Sequence, residues 1–286
     1  MSENPVTHYA DVNSWELSDS MWLQIESLLP KVKSRYRGRG KNRKHVGGRP
    51  SAERRMLMSG ILYVLRTGCQ WNALPKEYGS GKTTHRYFQK WVRLGVFKRM
   101  WQMGLMDYDE LKGIAWKWQA ADGTMTKAPL GGLKTGANPT DRAKSGTKRS
   151  LLVDEHGIPL ALVVSGANTP DSKLLAPTLE AIVIERPDPA DLPQHLCLDK
   201  AYSGAPSTTV AETQGYTVHV PDKANAKKKR KRQSGRRKAR RWVVEVTHSW
   251  INRFRRLLIR WEQKASNYLS LLYFACAIIC WRKCEV

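Results

Sequence analysis

Ile114-Ala115-Trp116-Lys117-Trp118-Gln119-Ala120-Ala121-Asp122-Gly123 is the stretch on which the reading of this chain turns. Ile114–Ala121 is an apolar run of strand length, and it stops on an acid. A second run, His195-Leu196-Cys197-Leu198, stops on Asp199 in the same way. A third acid, Glu245, lies early in the helical pattern Trp242-Val243-Val244-Glu245-Val246-Thr247-His248-Ser249-Trp250. Two carboxylates at strand ends and one on a packed helix can converge on a pair of divalent metals. Such a pair stabilises the attacking and leaving oxygens of an in-line phosphoryl displacement. Taken singly, each aspartate reads as structural: Asp-Gly is a common turn pair, and Asp199 could cap the helix at Ser207. Their order along the chain favours the site.

That order begins at residue 113, where the hydrophobic period changes. Ile114–Ala121, Arg149–Val153 and Ile158–Val164 read as strands, the last two joined by the hairpin signal Asp154-Glu155-His156-Gly157. Asp171–Glu185 follows as a helix, then strand Leu196–Leu198, helix Ser207–Gln214 and strand Tyr216–Val220. A long helix closes the series, with Val243, Val246, Trp250, Phe254, Leu257 and Trp261 on one stripe. Three strands, helix, strand, helix, strand, helix is the ribonuclease-H-like arrangement. The predicted fold is therefore an α/β catalytic domain with a mixed five-stranded sheet and flanking helices. Asp122, Asp199 and Glu245 fall on its first strand, fourth strand and last helix. Asp171 is assigned to helix capping and Asp154 to the turn. Glu262, seventeen positions beyond Glu245, would lie about 25 Å away along a continuous helix, so only one of the two can serve.

The chain has 286 residues, 41% of them hydrophobic and 11 of them Trp, which describes a globular protein rather than a basic tail. Its 49 Lys+Arg against 25 Asp+Glu give a formal net charge of +24. That excess calls for a polyanionic partner. The cations are not gathered on one amphipathic helix, which argues against a membrane surface. The start, Met1-Ser2-Glu3-Asn4-Pro5, lacks a signal pattern, and Tyr268–Trp281 is too short to span a bilayer. Five cysteines without a signal suit reduced thiols in a cytoplasm. Cys276, Cys280 and Cys284 read as one packed helical face rather than a zinc site. Gly79-Ser80-Gly81-Lys82-Thr83 imitates a phosphate-binding loop, but Lys76 stands where that pattern needs Gly, so no nucleotide cofactor is expected.

Residues 13–111 read as helical. Trp22, Ile25, Leu28 and Leu29 line a first helix stopped by Pro30. Pro50-Ser51 opens a second, with Met56, Ile61, Leu62 and Leu65 inward and Gly68 as its stop. Between them residues 31–49 form a basic, glycine-rich loop with no acid. Trp71–Tyr78 is a short helix or turn, Thr83–Leu94 a third helix and Val96–Leu111 a fourth. The basic third helix suits a helix-turn-helix reader of DNA. Thr84, His85, Arg86, Gln89 and Arg93 are expected outward as its DNA contacts, with Tyr87, Phe88, Trp91 and Leu94 inward. The expected domains are 1–111, helical and DNA-binding, and 112–286, catalytic. The latter carries the basic segment 223–241 and its run Lys227-Lys228-Lys229-Arg230 as a contact to DNA backbone.

Several blocks together resemble the DDE transposases of bacterial insertion sequences, in the superfamily uniting the IS-five and IS-four groups. They are Ala121-Asp122-Gly123-Thr124, Gly146–Ser150 through Gly157–Leu160, Gly166-Ala167-Asn168-Thr169-Pro170-Asp171, Leu198-Asp199-Lys200-Ala201-Tyr202-Ser203 and Val244–Arg256. Gly48-Arg49-Pro50 and Leu65–Trp71 resemble the family's amino-terminal domain. The resemblance covers nearly the whole chain. One departure is Lys238, which occupies the place of the family's Tyr, while Arg241 matches its Arg.

The resemblance implies a transposase that cleaves DNA at the ends of its element and joins them to target DNA. Asp122, Asp199 and Glu245 would be both catalytic and metal-binding, holding two Mg²⁺ or Mn²⁺ ions. Arg241 and Arg253 would steady the scissile phosphate or its neighbour, and Arg256 would also contact DNA. Expected partners are double-stranded DNA (terminal inverted repeats and target) and a second copy of the chain in a homodimer on DNA, with no membrane. The expected location is cytoplasmic, on the nucleoid. The alternatives are a catalytically inactive DNA-binding regulator and a structure-specific nuclease on the same fold.

Overall fold

The computed structural model describes residues 17–31, 36–37, 41, 44–45, 51–220 and 242–285. Most of the basic loop and all of Lys227, Lys228, Lys229, Arg230 and Arg241 lie outside them. The chain divides into two compact units, Met1–Val96 and Phe97–Val286. The sequence reading placed the boundary fifteen residues later, at residue 111. The helix over Val96–Lys112 therefore belongs to the second unit for all but its first residue. There Trp101 is fully buried and its indole N–H donates to Pro159 O at 3.0 Å. A helix that buries such a ring packs with the body that receives it.

The first unit holds α1 (Asp19–Leu28), β1 (Tyr36–Arg37), β2 (Lys44–His45), α2 (Arg54–Thr67) and α3 (Gly81–Arg93). Ser18 caps α1, accepting from Met21 N at 3.2 Å. Gly68, at φ 75°, ends α2 in the left-handed conformation that glycine adopts most readily. Two 3₁₀ turns, Trp71–Ala73 and Lys76–Tyr78, lead to α3. Gly60 lets α2 approach this segment, since a Cβ there would stand 3.0 Å from Tyr78 Cβ and 3.3 Å from Thr84 Cγ2.

The second unit opens with α4 (Val96–Lys112). Then come β3 (Trp118–Lys127), β4 (Gly136–Ala137), β5 (Ser145–Asp154), β6 (Pro159–Gly166), α5 (Asp171–Glu180), β7 (Gln194–Cys197), α6 (Ala205–Thr213), β8 (Tyr216–His219), α7 (Trp242–Asn252) and α8 (Ala265–Glu285). The sheet runs β6-β5-β3-β7-β8, with the short β4 added beside β5. β5 is antiparallel to both neighbours, whereas β3, β7 and β8 are parallel. This is the mixed, ribonuclease-H-like sheet with helices against it, carrying one more short strand than the five expected.

β5 is buried along nearly its whole length, as befits a central strand covered on both faces. Its side chains alternate between those faces. Lys148 and Ser150 meet α5 through Asp171 and Thr178, while Arg149 meets α7 through Asn252. At the β5–β6 turn the buried Asp154 accepts from Ala115 N, His156 N and Ile158 N at 2.8–3.2 Å. The turn role assigned to it stands.

The last helix differs from its predicted form. α7 stops at Asn252, and a 3₁₀ turn at Arg255–Leu257 leads to an extended segment. Its inward residues are Val243, Val244, Thr247, His248 and Ile251, while Trp261 is 42% exposed. Tertiary pairing overrides the helical period here. Arg260 N donates to Lys127 O at 2.8 Å, and the buried Arg260 guanidinium donates to the Leu133 and Lys134 carbonyls. Cys276 and Cys280 are buried in α8, as the packed-face reading required. Among the described residues no helix is long and apolar enough to cross a membrane.

Candidate active site

Asp122 is not at a strand end. It sits inside β3, opposite Leu151, and the strand continues to Lys127. Directly opposed residues share a face, so Asp122 lies on the face of Leu151 and Arg149, which α7 covers. The parallel register of β3 with β7 pairs Trp118 with His195 and Ala120 with Cys197. β7 ends at Cys197, and Asp199 follows two residues past the pair Ala120–Cys197, as Asp122 does on β3. Asp199 leaves β7 by capping a 3₁₀ turn at Lys200–Tyr202, where its Oδ1 accepts from Ala201 N. Its turn therefore starts well ahead of the Ser207 helix whose cap was weighed from sequence. Glu245 lies in the first turn of α7 on its exposed side.

The charges of these acids act on one another. Burial pushes the Asp122 carboxyl up to about 6, and the charges of Asp199, Asp171 and Glu245 add to the rise, while the Gly123 N–H opposes it. All three predicted acids therefore share one field, joined by a fourth that the sequence reading gave to helix capping. Asp171 does not cap. The α5 N-cap is Pro170, and the Asp171 carboxylate turns to Lys148, with Nζ donating to Oδ2 at 3.1 Å. Close by lies Tyr202, 1% exposed, whose hydroxyl pKa is raised by burial and by Asp171, Asp122 and Asp199. On the α7 side His248 is buried. Burial and the neighbouring Arg149 charge lower its pKa to about 3, against an opposing effect of the Asp122 backbone.

Sequence reasoning considered Asp171 but assigned it to capping, and did not single out Lys148, Arg149, Tyr202 or His248. The available signal was the Asp122-Gly123 pair. A glycine inside a strand can mark a close approach as well as a turn, and here it admits Asp171.

The donor set is all carboxylate oxygen, the chemistry that Mg²⁺ and Mn²⁺ prefer. Among the described residues no three His, Cys, Asp or Glu side chains close a cage around one point. Mg²⁺ does not need one, because it binds through one or two carboxylates together with waters and substrate phosphates. The residues fit such ions.

The predicted DNA contacts divide. Arg253 is exposed one residue past α7. Arg256 is not available: it is 8% exposed, and its Nε donates to the buried Glu262 Oε1 at 2.8 Å. The cation is drawn inward because Glu262 would otherwise be an unpaired buried charge. On α3, Arg86 and Arg93 are exposed, while Thr84 is fully buried, its hydroxyl donating to Ser80 O at 3.1 Å. Thr84 faces Gly60 because α2 and α3 pack there, so it cannot meet DNA. His85 lies against Trp71 with ring centroids 4.8 Å apart and planes tilted by 31°, and Gln89 pairs with its Nε2 at 3.3 Å. Leu94, expected inward, is 42% exposed. The outward stripe is instead Lys82, Arg86, Lys90 and Arg93.

Residues 119–280 match the family described as "Transposase DDE domain", and residues 17–101 match "Putative transposase of IS4/5 family". Among curated relatives, the "Putative transposase for insertion sequence element IS402" of Burkholderia cepacia is 37% identical over 151 residues, which is 52% of this chain and 69% of that one. The "Insertion element IS402 uncharacterized 16.2 kDa protein" of the same organism is 35% identical over 125 residues, 43% of this chain and 80% of that one. Two solved structures, a pre-cleavage Mos1 transpososome and the Mos1 mariner paired end complex with Mn, align at 12% and 13% identity. Each alignment covers 61% of both chains at a TM-score of 0.26, too slight a likeness to carry an argument. On its family match over more than half its length, the chain belongs to the DDE transposases, of the IS4/5 kind.

Proposed function

We propose that this chain cleaves DNA at the ends of an insertion sequence and transfers the freed ends to target DNA, at one site built from Asp122, Asp199 and Glu245. The observation that carries the reading is the shared field of those carboxylates at Asp122. Two divalent ions bound there would supply nucleophile activation and charge stabilisation at the phosphate. Asp122 lies within β3 and Asp199 just past the end of its parallel neighbour β7, an arrangement that supports their approach. Glu245 closes the site from α7, whose inward face anchors it through Val244, Thr247 and His248. Arg253, exposed just beyond α7, is available to meet the DNA backbone.

The first unit supplies DNA binding through the cationic stripe of α3. The basic segments outside the described residues, with Lys227–Arg230 and Arg241, add contacts to phosphate. Double-stranded element ends and target are the partners, bound by two copies of the chain. The test is strand cleavage of duplexes bearing candidate end sequences, with and without Mg²⁺, by the wild type and by Asp199→Ala. Loss of cleavage with retained DNA binding is expected of the variant. Near wild-type cleavage by Asp199→Ala in Mg²⁺ would refute the assignment.

A further inference from the structure

The Lys148–Asp171 pair is left over once the three carboxylates are assigned. An acid at the start of a helix ordinarily caps it or answers its dipole. Asp171 turns away from that task. Its Oδ1 and Oδ2 both lie 3.1 Å from Lys148 Nζ, and the two side chains are only 21% and 8% exposed. This is no screened surface pair. A Cβ on Gly123 would collide with Asp171 Oδ1 and meet Lys148 Cδ at 3.5 Å. The residue that follows Asp122 thus lacks a side chain at the very point where the α5 acid presses on the strand. Asp122 and Gly123 face opposite sides of the sheet, so Asp171 stands behind the site rather than in it.

We propose that Asp171 is a positioning residue of the metal site: its charge, clamped by Lys148 against the Gly123 backbone, strengthens the hold of Asp122 and its partners on divalent cations without touching them. The proposal rests on the carboxylate reading given above. A covered anion close behind the ligands attracts a cation through protein rather than water, where screening is weak. Lys148 keeps the carboxylate in place, because separating a desolvated pair leaves a buried charge alone. Gly123 is the third part, since any side chain there would push the acid off the strand.

The experiment is Mn²⁺ binding by the full chain without DNA, read from the electron paramagnetic resonance signal of free Mn²⁺. The proteins are wild type, Asp171→Asn, the double variant Asp171→Asn/Lys148→Met and Asp199→Ala, each with a melting curve in the absence of metal. Asp171→Asn should weaken Mn²⁺ binding about tenfold, the scale of one charge removed at short range. The double variant keeps the volume and leaves no lone buried ammonium, so it guards against misfolding; it removes opposite charges together, so its Mn²⁺ binding should lie between that of Asp171→Asn and that of wild type. If Asp171→Asn melts as wild type and binds Mn²⁺ equally tightly, while Asp199→Ala has lost binding, the role of Asp171 is overturned and the site stands. If Asp199→Ala binds Mn²⁺ as wild type does, the carboxylate reading falls and this proposal with it.

Discussion

Arg149 Nη2 donates to Asn252 Oδ1 at 2.9 Å, joining the middle of β5 to the last residue of α7. The bond crosses 103 positions of sequence and fastens the far end of the helix that presents Glu245. Arg149 is 2% exposed, and its Nε and Nη1 have no hydrogen-bond partner among the described residues. The guanidinium is therefore an under-satisfied buried cation with one good acceptor.

Removing that acceptor should hurt more than removing the cation. Asn252→Ala leaves a buried charge without its partner and should cost about 1–3 kcal/mol. Arg149→Met replaces it with an apolar chain of similar reach and should cost less than that, or stabilise. Urea unfolding of both variants checks the order, and the reverse ranking would show that Arg149 is satisfied in some other way.

The Arg256–Glu262 pair is covered on both sides, at 9% and 6% side-chain exposure. Glu262→Ala alone should destabilise by about 3–5 kcal/mol, because it strands a buried guanidinium. Substituting both residues, Arg256→Met with Glu262→Leu, should recover most of that stability. DNA affinity measured against salt should keep its slope in the double variant, since Arg256 faces inward. A slope lowered by about 0.9 would return Arg256 to the phosphate-binding set.

The stripe Lys82, Arg86, Lys90 and Arg93 should act through phosphate. Arg86→Gln with Lys90→Gln should weaken binding to all duplexes alike and lower the log–log salt slope by ~0.9 for each phosphate that is no longer neutralised. Thr84→Ala should lower the melting temperature through its packing against Gly60, and leave the salt slope unchanged. Altered sequence preference with an unchanged slope in the Arg86/Lys90 variant would identify base reading instead.

Acid should loosen the second unit through His248. Its folded pKa is about 3, against an ordinary 6.5, because burial and Arg149 disfavour the imidazolium. The unfolded chain takes up a proton near the ordinary value and the folded chain does not. The stabilisation from this neutral ring is thus full above that value and lost as pH falls toward about 3. Unfolding free energies across that window should slope downward with acid, and His248→Gln should flatten the slope. An identical slope in the variant would assign the effect to other groups.

The sequence by itself determined the element order, and with it the sheet. Apolar runs of strand length, a hairpin signal and helical stripes are local properties, legible wherever burial has one period. It also drew attention to three acids, two after apolar runs and one early in a helical pattern, and to the family, because several short blocks recur together. Tertiary structure decided what depends on two distant segments at once. The α7 stripe was read as continuing to Trp261, but Arg260 and Glu262 are claimed by Leu133, Lys134 and Arg256, and the helix gives way. Thr84 was read as outward, but Gly60 draws it in. Asp122 was read as a strand end, but Gly123 is a gap through which Asp171 approaches from the other face. Periodicity reports which side of an element is buried, not what buries it, and a charge's partner can lie a hundred residues away.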